Sequence, residues 1–559
     1  MSTFDLGRFR DLAFGRQALP DHPMGTLDEA RRLIALLPDD DPAHSLAELT
    51  QWTSSMNATD SFTPGRRARV LMLLHEAARP LWRELGQRYL APDGRPDERG
   101  KGDPAILRAM ADSAFEFASG FAISLDTSGQ GSKWVEKNYQ AILIRNLRWL
   151  GRRLALAYML QQNLVAAVWE QLHRLYHLAE ERNLLRSAAP VFEGSRHNSS
   201  TQAEYARAAL VDLANPDGIR AREVELVYRI AARVAPAVRF EATQSTEANF
   251  SLLPSGAGRP GISRARARTA PGQLFINTVN CLPRLRAMLE RDLGRDPADE
   301  DTLFGGGFTL RERKAVLERV IAHWGMDPPR RRTRRIAMAS AARVIAGFEN
   351  ILRVVPPADR QQIGDTRAVR RALELKLDES SQTLKRDQVR AALTGEARVV
   401  DASAGGIGIA IPRAQAPWAT QGALLAVTIE PGTAWFLGVL RRIFSVDDEL
   451  RLGVQLLAAR PTSVAFLTES VKPEQVWEDA IRHERAFDDH YQRGILLEPQ
   501  ALPLQGAQLL LAPGLASRGS QFTVPSSKGQ QRIRVTRLAE DGPHYQRAIF
   551  ETLAASRNQ

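Results

Sequence analysis

Cysteine is almost missing from this chain: Cys281 is the only one in 559 residues. One thiol cannot close an intramolecular disulfide, so the cores must hold without such staples, and a reducing compartment, the cytoplasm, is the expected setting. Long apolar runs are missing too. No stretch reaches the roughly 18 uninterrupted apolar residues that a membrane-crossing helix needs, so no span is expected. The opening residues Met1-Ser2-Thr3-Phe4-Asp5 start neither a basic-then-apolar leader nor a lipidation box, and no signal peptide is expected. No lysine-bearing phosphate loop follows Gly305-Gly306-Gly307, and no His-Glu-x-x-His pattern surrounds His173 and His177. Neither a nucleophile triad nor a pair of acid–base carboxylates stands out. These gaps argue against an enzyme, and against a resident metal or cofactor.

What is present in excess is positive charge. The formal net charge is +11, carried mostly by arginine. Such a balance favours anionic partners such as phosphates, nucleic acid or acidic lipid, although an arginine-heavy coding bias gives the same number. The length suggests several domains.

Helical patterning dominates the first part. Thr26-Leu27-Asp28-Glu29 is a capping box in front of a short apolar helix that ends before Pro38. Val70, Leu71, Leu74, Leu81 and Leu85 repeat at helical spacing within 65–90, and 104–125 does the same. The longest helical stretch, 133–186, reads as broken near Gly151 and Asn163. Its Trp134, Tyr139, Trp149, Tyr158, Trp169 and Tyr176 read as core packing. Residues 1–235 are therefore expected to form an α-helical domain, with a protein-binding role as one use for it.

From 236 to 327 the pattern is mixed. Short strands are expected at 237–242, 249–253 and 273–277, with an arginine loop at Arg264, Arg266 and Arg268. Helices follow at 281–293 and 310–324, the second behind the capping box Thr309-Leu310-Arg311-Glu312. Pro328-Pro329 then marks a domain boundary.

Strands dominate beyond it. Segments 343–352, 397–400, 406–411, 423–430, 434–443 and 450–457 alternate or run apolar between turn residues. Together they predict a small antiparallel β-barrel over 328–470, interrupted by a helical insertion at 358–393. Residues 471–559 read as a helix at 472–488 and a β-rich C-terminal unit. The whole is a multidomain α+β chain.

Two short segments in this later half carry chemistry. Arg330-Arg331-Arg332-Thr333-Arg334-Arg335 follows the double proline, and Asp401-Ala402-Ser403-Ala404-Gly405-Gly406 ends a strand. In that order, with barrel-like strands around them, they resemble the PilZ family of cyclic di-GMP receptors. That family carries an Arg-x-x-x-Arg arm leading into a barrel whose turn reads Asp/Asn-x-Ser-x-x-Gly. The resemblance covers about 330–460. Arg331 and Arg335 fit the arm best, because apolar Ile336 follows. Arg330 and Arg334 make the alternative register, and Arg386 and Arg390 a third within a helical stretch. Asp401, Ser403 and Gly406 fit the turn, with Gly405 beside them.

What the resemblance implies is a non-enzymatic receptor whose ligand is cyclic di-GMP. The residue chemistry agrees. An arginine fork gives parallel hydrogen bonds to a phosphate or to the O6/N7 edge of guanine, and stacks on a purine face. A carboxylate at Asp401 accepts from a guanine N1–H and N2–H₂ edge, and the Ser403 hydroxyl can donate or accept. Glycine at 405 and 406 permits close approach or positive φ. Two other readings stay open: an arginine-rich nucleic-acid-binding protein, and a PilZ-fold scaffold that no longer binds nucleotide.

Overall fold

The computed structural model describes residues 20–91, 102–126, 132–194, 198–263, 270–293, 304–329, 335–356, 395–430, 434–446, 448–468, 492–497, 508–526 and 529–553. The chain divides into two compact units, Met1–Pro329 and Arg330–Gln559. The expected helices at 358–393 and 472–488 lie outside the described residues, as do Arg264, Arg266 and Arg268.

The first unit is helical. Helices α1 (Leu27–Ile34), α2 (Pro42–Asn57), α3 (Pro64–Leu90), α4 (Pro104–Asp126), α5 (Lys133–Met159) and α6 (Val165–Glu181) are followed by a short pair, β1 (Ala188–Pro190) and β2 (Asn198–Ser200). Then come α7 (Thr201–Leu213) and α8 (Ala221–Val234). The capping boxes at Thr26 and Thr309 both form, each closing two of the amide groups that a helix start leaves unpaired. α5 runs unbroken through Gly151, contrary to the break expected there. A side chain at 151 would already touch Tyr228 of α8 at 3.9 Å, so the glycine marks a close helix crossing rather than a stop.

A four-stranded sheet in the order β3 (Arg239–Glu241), β6 (Leu274–Asn277), β4 (Phe250–Leu252), β5 (Gly261–Ile262) joins the helices, with α9 (Leu282–Leu293) and α10 (Leu310–His323) beyond it. One continuous core runs from Met24 to Trp324 and takes in Phe250, Leu252 and Ile276 of that sheet. The 236–327 segment therefore shares its core with the helices before it.

Arginine does much of the polar work in this unit. Arg148 pairs with Glu204 at 2.5 Å, Arg313 with Asp292 at 3.1 Å and Arg222 with Glu312 at 2.9 Å. Arg152 pairs with Glu225 while lying over the rings of Trp82 and Tyr228. Burial alone would raise the Glu225 carboxyl, but Arg152 and Arg229 outweigh it and hold it down at about 2.

The second unit holds two closed antiparallel barrels. The first orders its strands β10 (Leu424–Ile429), β11 (Phe436–Val446), β12 (Glu449–Ala458), β9 (Gly406–Pro412), β8 (Gly395–Ser403), β7 (Ile336–Ala346). The segment 343–352, read from sequence as one strand, is instead the end of β7 and a helix, α11 (Phe348–Val354). Gly347 between them has φ +92°, a conformation that ends the strand and suits glycine.

The second barrel orders β13 (Thr462–Thr468), β14 (Gln492–Leu497), β15 (Gln508–Leu511), β18 (Gln546–Thr552), β17 (Gly529–Asp541), β16 (Gln521–Ser526). The sequence reading ends the first barrel at 470, yet β13 bonds β14 and β16 of the second. An alternating pattern marks a strand without naming its neighbour. Closure leaves neither barrel an open edge.

The two barrels share a core. β10 sends Leu425 and Val427 into its own barrel with Val399, Ile409 and Leu440, and Leu424 and Ala426 to the other side. There they meet Ile351 of α11 and Ile495, Leu497, Leu510 and Tyr545 of the second barrel. This two-sided burial explains why Leu424-Leu425-Ala426-Val427 is apolar without alternation.

Candidate functional site

Arg335, the one described residue of the arm segment, meets the turn segment at one end of the first barrel. Arg335 immediately precedes β7, and Asp401 lies near the end of β8. They are 66 residues apart, yet Arg335 Nη1 donates to both carboxylate oxygens of Asp401, at 2.5 and 2.8 Å. Each side chain keeps 29% of its surface exposed. Arg330, Arg331 and Arg334 lie outside the described residues.

Strand register explains the meeting. Val399 pairs with Ile409, both in the barrel core, so plain alternation would aim residue 401 inward as well. A register shift between Val399 and Asp401 pairs Asp401 with Gly408 instead. Gly408 lies between the core residues Ile407 and Ile409 and therefore faces outward, and Asp401 with it. On its other side Asp401 pairs with Ala337 of β7, and Arg335 is two residues before Ala337, on the same face. The bulge thus re-aims one carboxylate out of the core and under an arginine.

Gly408 is a site residue that motif reading missed. A Cβ there would stand 2.6 Å from Oδ1 of Asp401, so only glycine leaves the carboxylate its present seat. The available signal was Gly406-Ile407-Gly408-Ile409, an apolar alternation whose outward positions carry no side chain.

The turn itself is closed by its own residues. The Ser403 hydroxyl donates to the Gly406 carbonyl at 3.3 Å, and Leu456 N–H of β12 donates to the Gly405 carbonyl at 3.1 Å. Gly406 is needed for close approach, since a Cβ would fall 2.8 Å from the Val454 carbonyl oxygen. Positive φ is not the reason at either glycine, and a side chain at 405 would meet open space. Ile336 pairs with Ala402, so alternation puts it on the strand face opposite the ion pair, where it is 68% exposed.

Residues set aside on sequence grounds have structural occupations. His173 bonds the Tyr205 hydroxyl at 2.7 Å and the Gly258 carbonyl at 2.6 Å, and His177 bonds the Pro254 carbonyl at 2.6 Å. Both pin the loop before β5. Arg222 donates to the Gly307 carbonyl at 2.9 Å and Arg229 to the Phe304 carbonyl at 2.6 Å, so part of the glycine run is held by its carbonyls. Cys281 is buried, and burial pushes its thiol up to about 12. Among the described residues no helix is long and apolar enough to cross a membrane.

The helical unit offers a groove of ≈ 700 Å³ at the start of α7. Arg186, Arg239, Ser200, Gln202 and Asn280 supply its polar lining, with no carboxylate among the lining residues.

Residues 28–245, from α1 to just beyond β3, match a family model for the N-terminal domain of a cyclic-di-GMP receptor. Its full description is "Cyclic-di-GMP receptor FimW, N-terminal domain". The matched span lies within the helical unit and ends before the barrels. Comparison with curated proteins finds no match.

Proposed function

We propose that this chain is a non-enzymatic, cytoplasmic receptor for cyclic di-GMP, that its first barrel is a PilZ domain, and that the nucleotide seats at the Arg335–Asp401 end of it. The observation that carries the proposal is the bidentate contact between those two residues, on a face that a bulge and a side-chain-free Gly408 keep open. Arg335 of one motif and Asp401 of the other meet in space, and their chemistry is of the kind that phosphate and guanine require. The similarity of residues 28–245 to a cyclic-di-GMP receptor's N-terminal domain supports the same ligand.

In the mechanism, the free protein satisfies Arg335 with its own carboxylate. Nucleotide binding exchanges partners: Arg335 turns to phosphate or guanine, and Asp401 accepts from a guanine N–H edge. Arg331 on the arm supplies the second fork. Ser403 holds the turn shut through Gly406. Nucleotide engagement by the arm and turn is the signal relayed to the helical unit, which we read as the partner-binding region. A ligand shifts such an arrangement only by its difference in affinity for the two states.

A second reading is favoured by one observation: the arginine-lined groove falls within the helical unit, where the family match lies, apart from Asn280. The two loci are separated by titrating cyclic di-GMP into Arg335→Ala and into the double variant Arg186→Ala/Arg239→Ala. Binding at the barrel predicts loss in the first and retention in the second. The reverse pattern moves the ligand to the groove.

A further inference from the structure

The nucleotide turn is connected to the second barrel by a short run of polar contacts. Gln455 of β12 pairs with Gly406 across the sheet, and the next residue, Leu456, holds the Gly405 carbonyl. The Gln455 side-chain oxygen accepts from Arg441 Nε on β11 at 2.8 Å. The other end of that guanidinium reaches out of the barrel, where Nη2 donates to Glu540 of β17. Glu540 also accepts from Arg547 of β18 at 3.0 Å and from the Tyr545 hydroxyl. Tyr545 is 3% exposed and belongs to the apolar core that the barrels share. Burial and then the Glu540 charge push its hydroxyl pKa above the ordinary value, so it remains a donor to Glu540.

The connection has a directional geometry. Arg441 is planar and forked, so a shift of the Gln455 strand tilts one prong and with it the prong on Glu540. Glu540 sits at a register shift of β17 against β18, a place where a strand can move without breaking a regular ladder. A second contact flanks the first: the Thr420 hydroxyl, in the loop before β10, meets His544 in the β17–β18 turn at 3.3 Å. Loss of Arg441 leaves Glu540 with Arg547 and Tyr545, so the fold does not depend on the prong that crosses between barrels.

We propose that Gln455 and Arg441 are positioning residues that couple the turn at Ser403–Gly406 to the second barrel, so that occupancy of the turn is read at β17 and β18 around Glu540. The proposal rests on the barrel turn being the nucleotide site. It makes the second barrel a reader of the first.

The test is hydrogen–deuterium exchange on the full chain, with and without saturating cyclic di-GMP, beside calorimetric titration of the same samples. In the unchanged protein, binding is expected to slow exchange both at the β8–β9 turn and in peptides from β17 and β18. In Arg441→Ala, affinity should stay within about threefold, because residues that do not touch the ligand couple weakly to it. The slowing at the turn should persist there while the response in β17 and β18 is lost, and Gln455→Ala should behave alike. A protected turn with unchanged β17 and β18 in the unchanged protein overturns the coupling and leaves the receptor reading standing. So does an undiminished response in Arg441→Ala. No titration signal at all overturns both.

Discussion

Arg335 grips both carboxylate oxygens of Asp401 through a single nitrogen, at 2.5 and 2.8 Å, although 66 residues separate them. The pair is part-exposed and one of its members must change partner for a ligand to enter. A pair of this kind contributes about 1 kcal/mol or less to folding. Stability alone therefore gives little reason for the pairing, and variants at either position are informative because they should stay folded.

Arg335→Lys is the sharpest of these. Lysine keeps the charge and loses the planar fork. Melting should move by about 1 kcal/mol or less. Affinity for cyclic di-GMP should fall by about tenfold or more, since each charge-assisted hydrogen bond lost costs about 1.5–3 kcal/mol. Thermal melting and titration of the same preparation check both halves. Equal affinity in the lysine variant counts against a bidentate role.

Glycine substitutions separate the turn from its surroundings. Gly408→Ala places a methyl group 2.6 Å from the Asp401 carboxylate and should displace it, weakening nucleotide binding while costing about 1–3 kcal/mol of stability. Gly405→Ala meets open space and should change stability by about 0.5 kcal/mol or less. Parallel titrations decide; equal effects from the two variants contradict the assignment of Gly408.

The split between what was legible in the sequence and what was not follows physical lines. Helices with caps, such as those behind Thr26 and Thr309, are local and were readable. Strands of the first barrel were readable as alternation or apolar runs, and the motif pair pointed to Arg335 and Asp401. Partnership was not readable. The membership of β13 in the second barrel, the shared core under Leu424 and Ala426, and the outward turn of Asp401 all depend on register between distant segments. Gly347 shows the same limit on a small scale: one residue at φ +92° turns an apparent strand into a strand and a helix.

Glu225 sets an acid limit on the helical unit. Arg152 and Arg229 hold its folded pKa at about 2, against 4.5 for an ordinary glutamate. A depressed folded pKa contributes stability that is fully present above the unfolded value and is lost as pH falls toward the folded one. Glu225→Gln should therefore destabilise the unit by about 3–5 kcal/mol at neutral pH, because it leaves buried arginine charge unpaired. That gap should narrow as pH drops from 4.5 to about 2. Denaturant melts across this range check it; a gap that widens toward acid contradicts the pairing.

Cys281 provides a reporter of the same unit. Its thiol is buried, bonded to the Val234 carbonyl at 3.5 Å and pushed up to about 12. At neutral pH a thiol reagent should label it only as fast as the unit opens, and denaturant should release full labelling. Rapid labelling of the folded protein contradicts this burial.

The most direct measurement is calorimetric titration of the purified full-length chain with cyclic di-GMP, repeated on Arg335→Ala and Asp401→Ala. The account predicts saturable binding that falls by about tenfold or more in each variant, with melting changed by about 1 kcal/mol or less. Absence of binding at tens of micromolar, or equal binding in all three proteins, would contradict it.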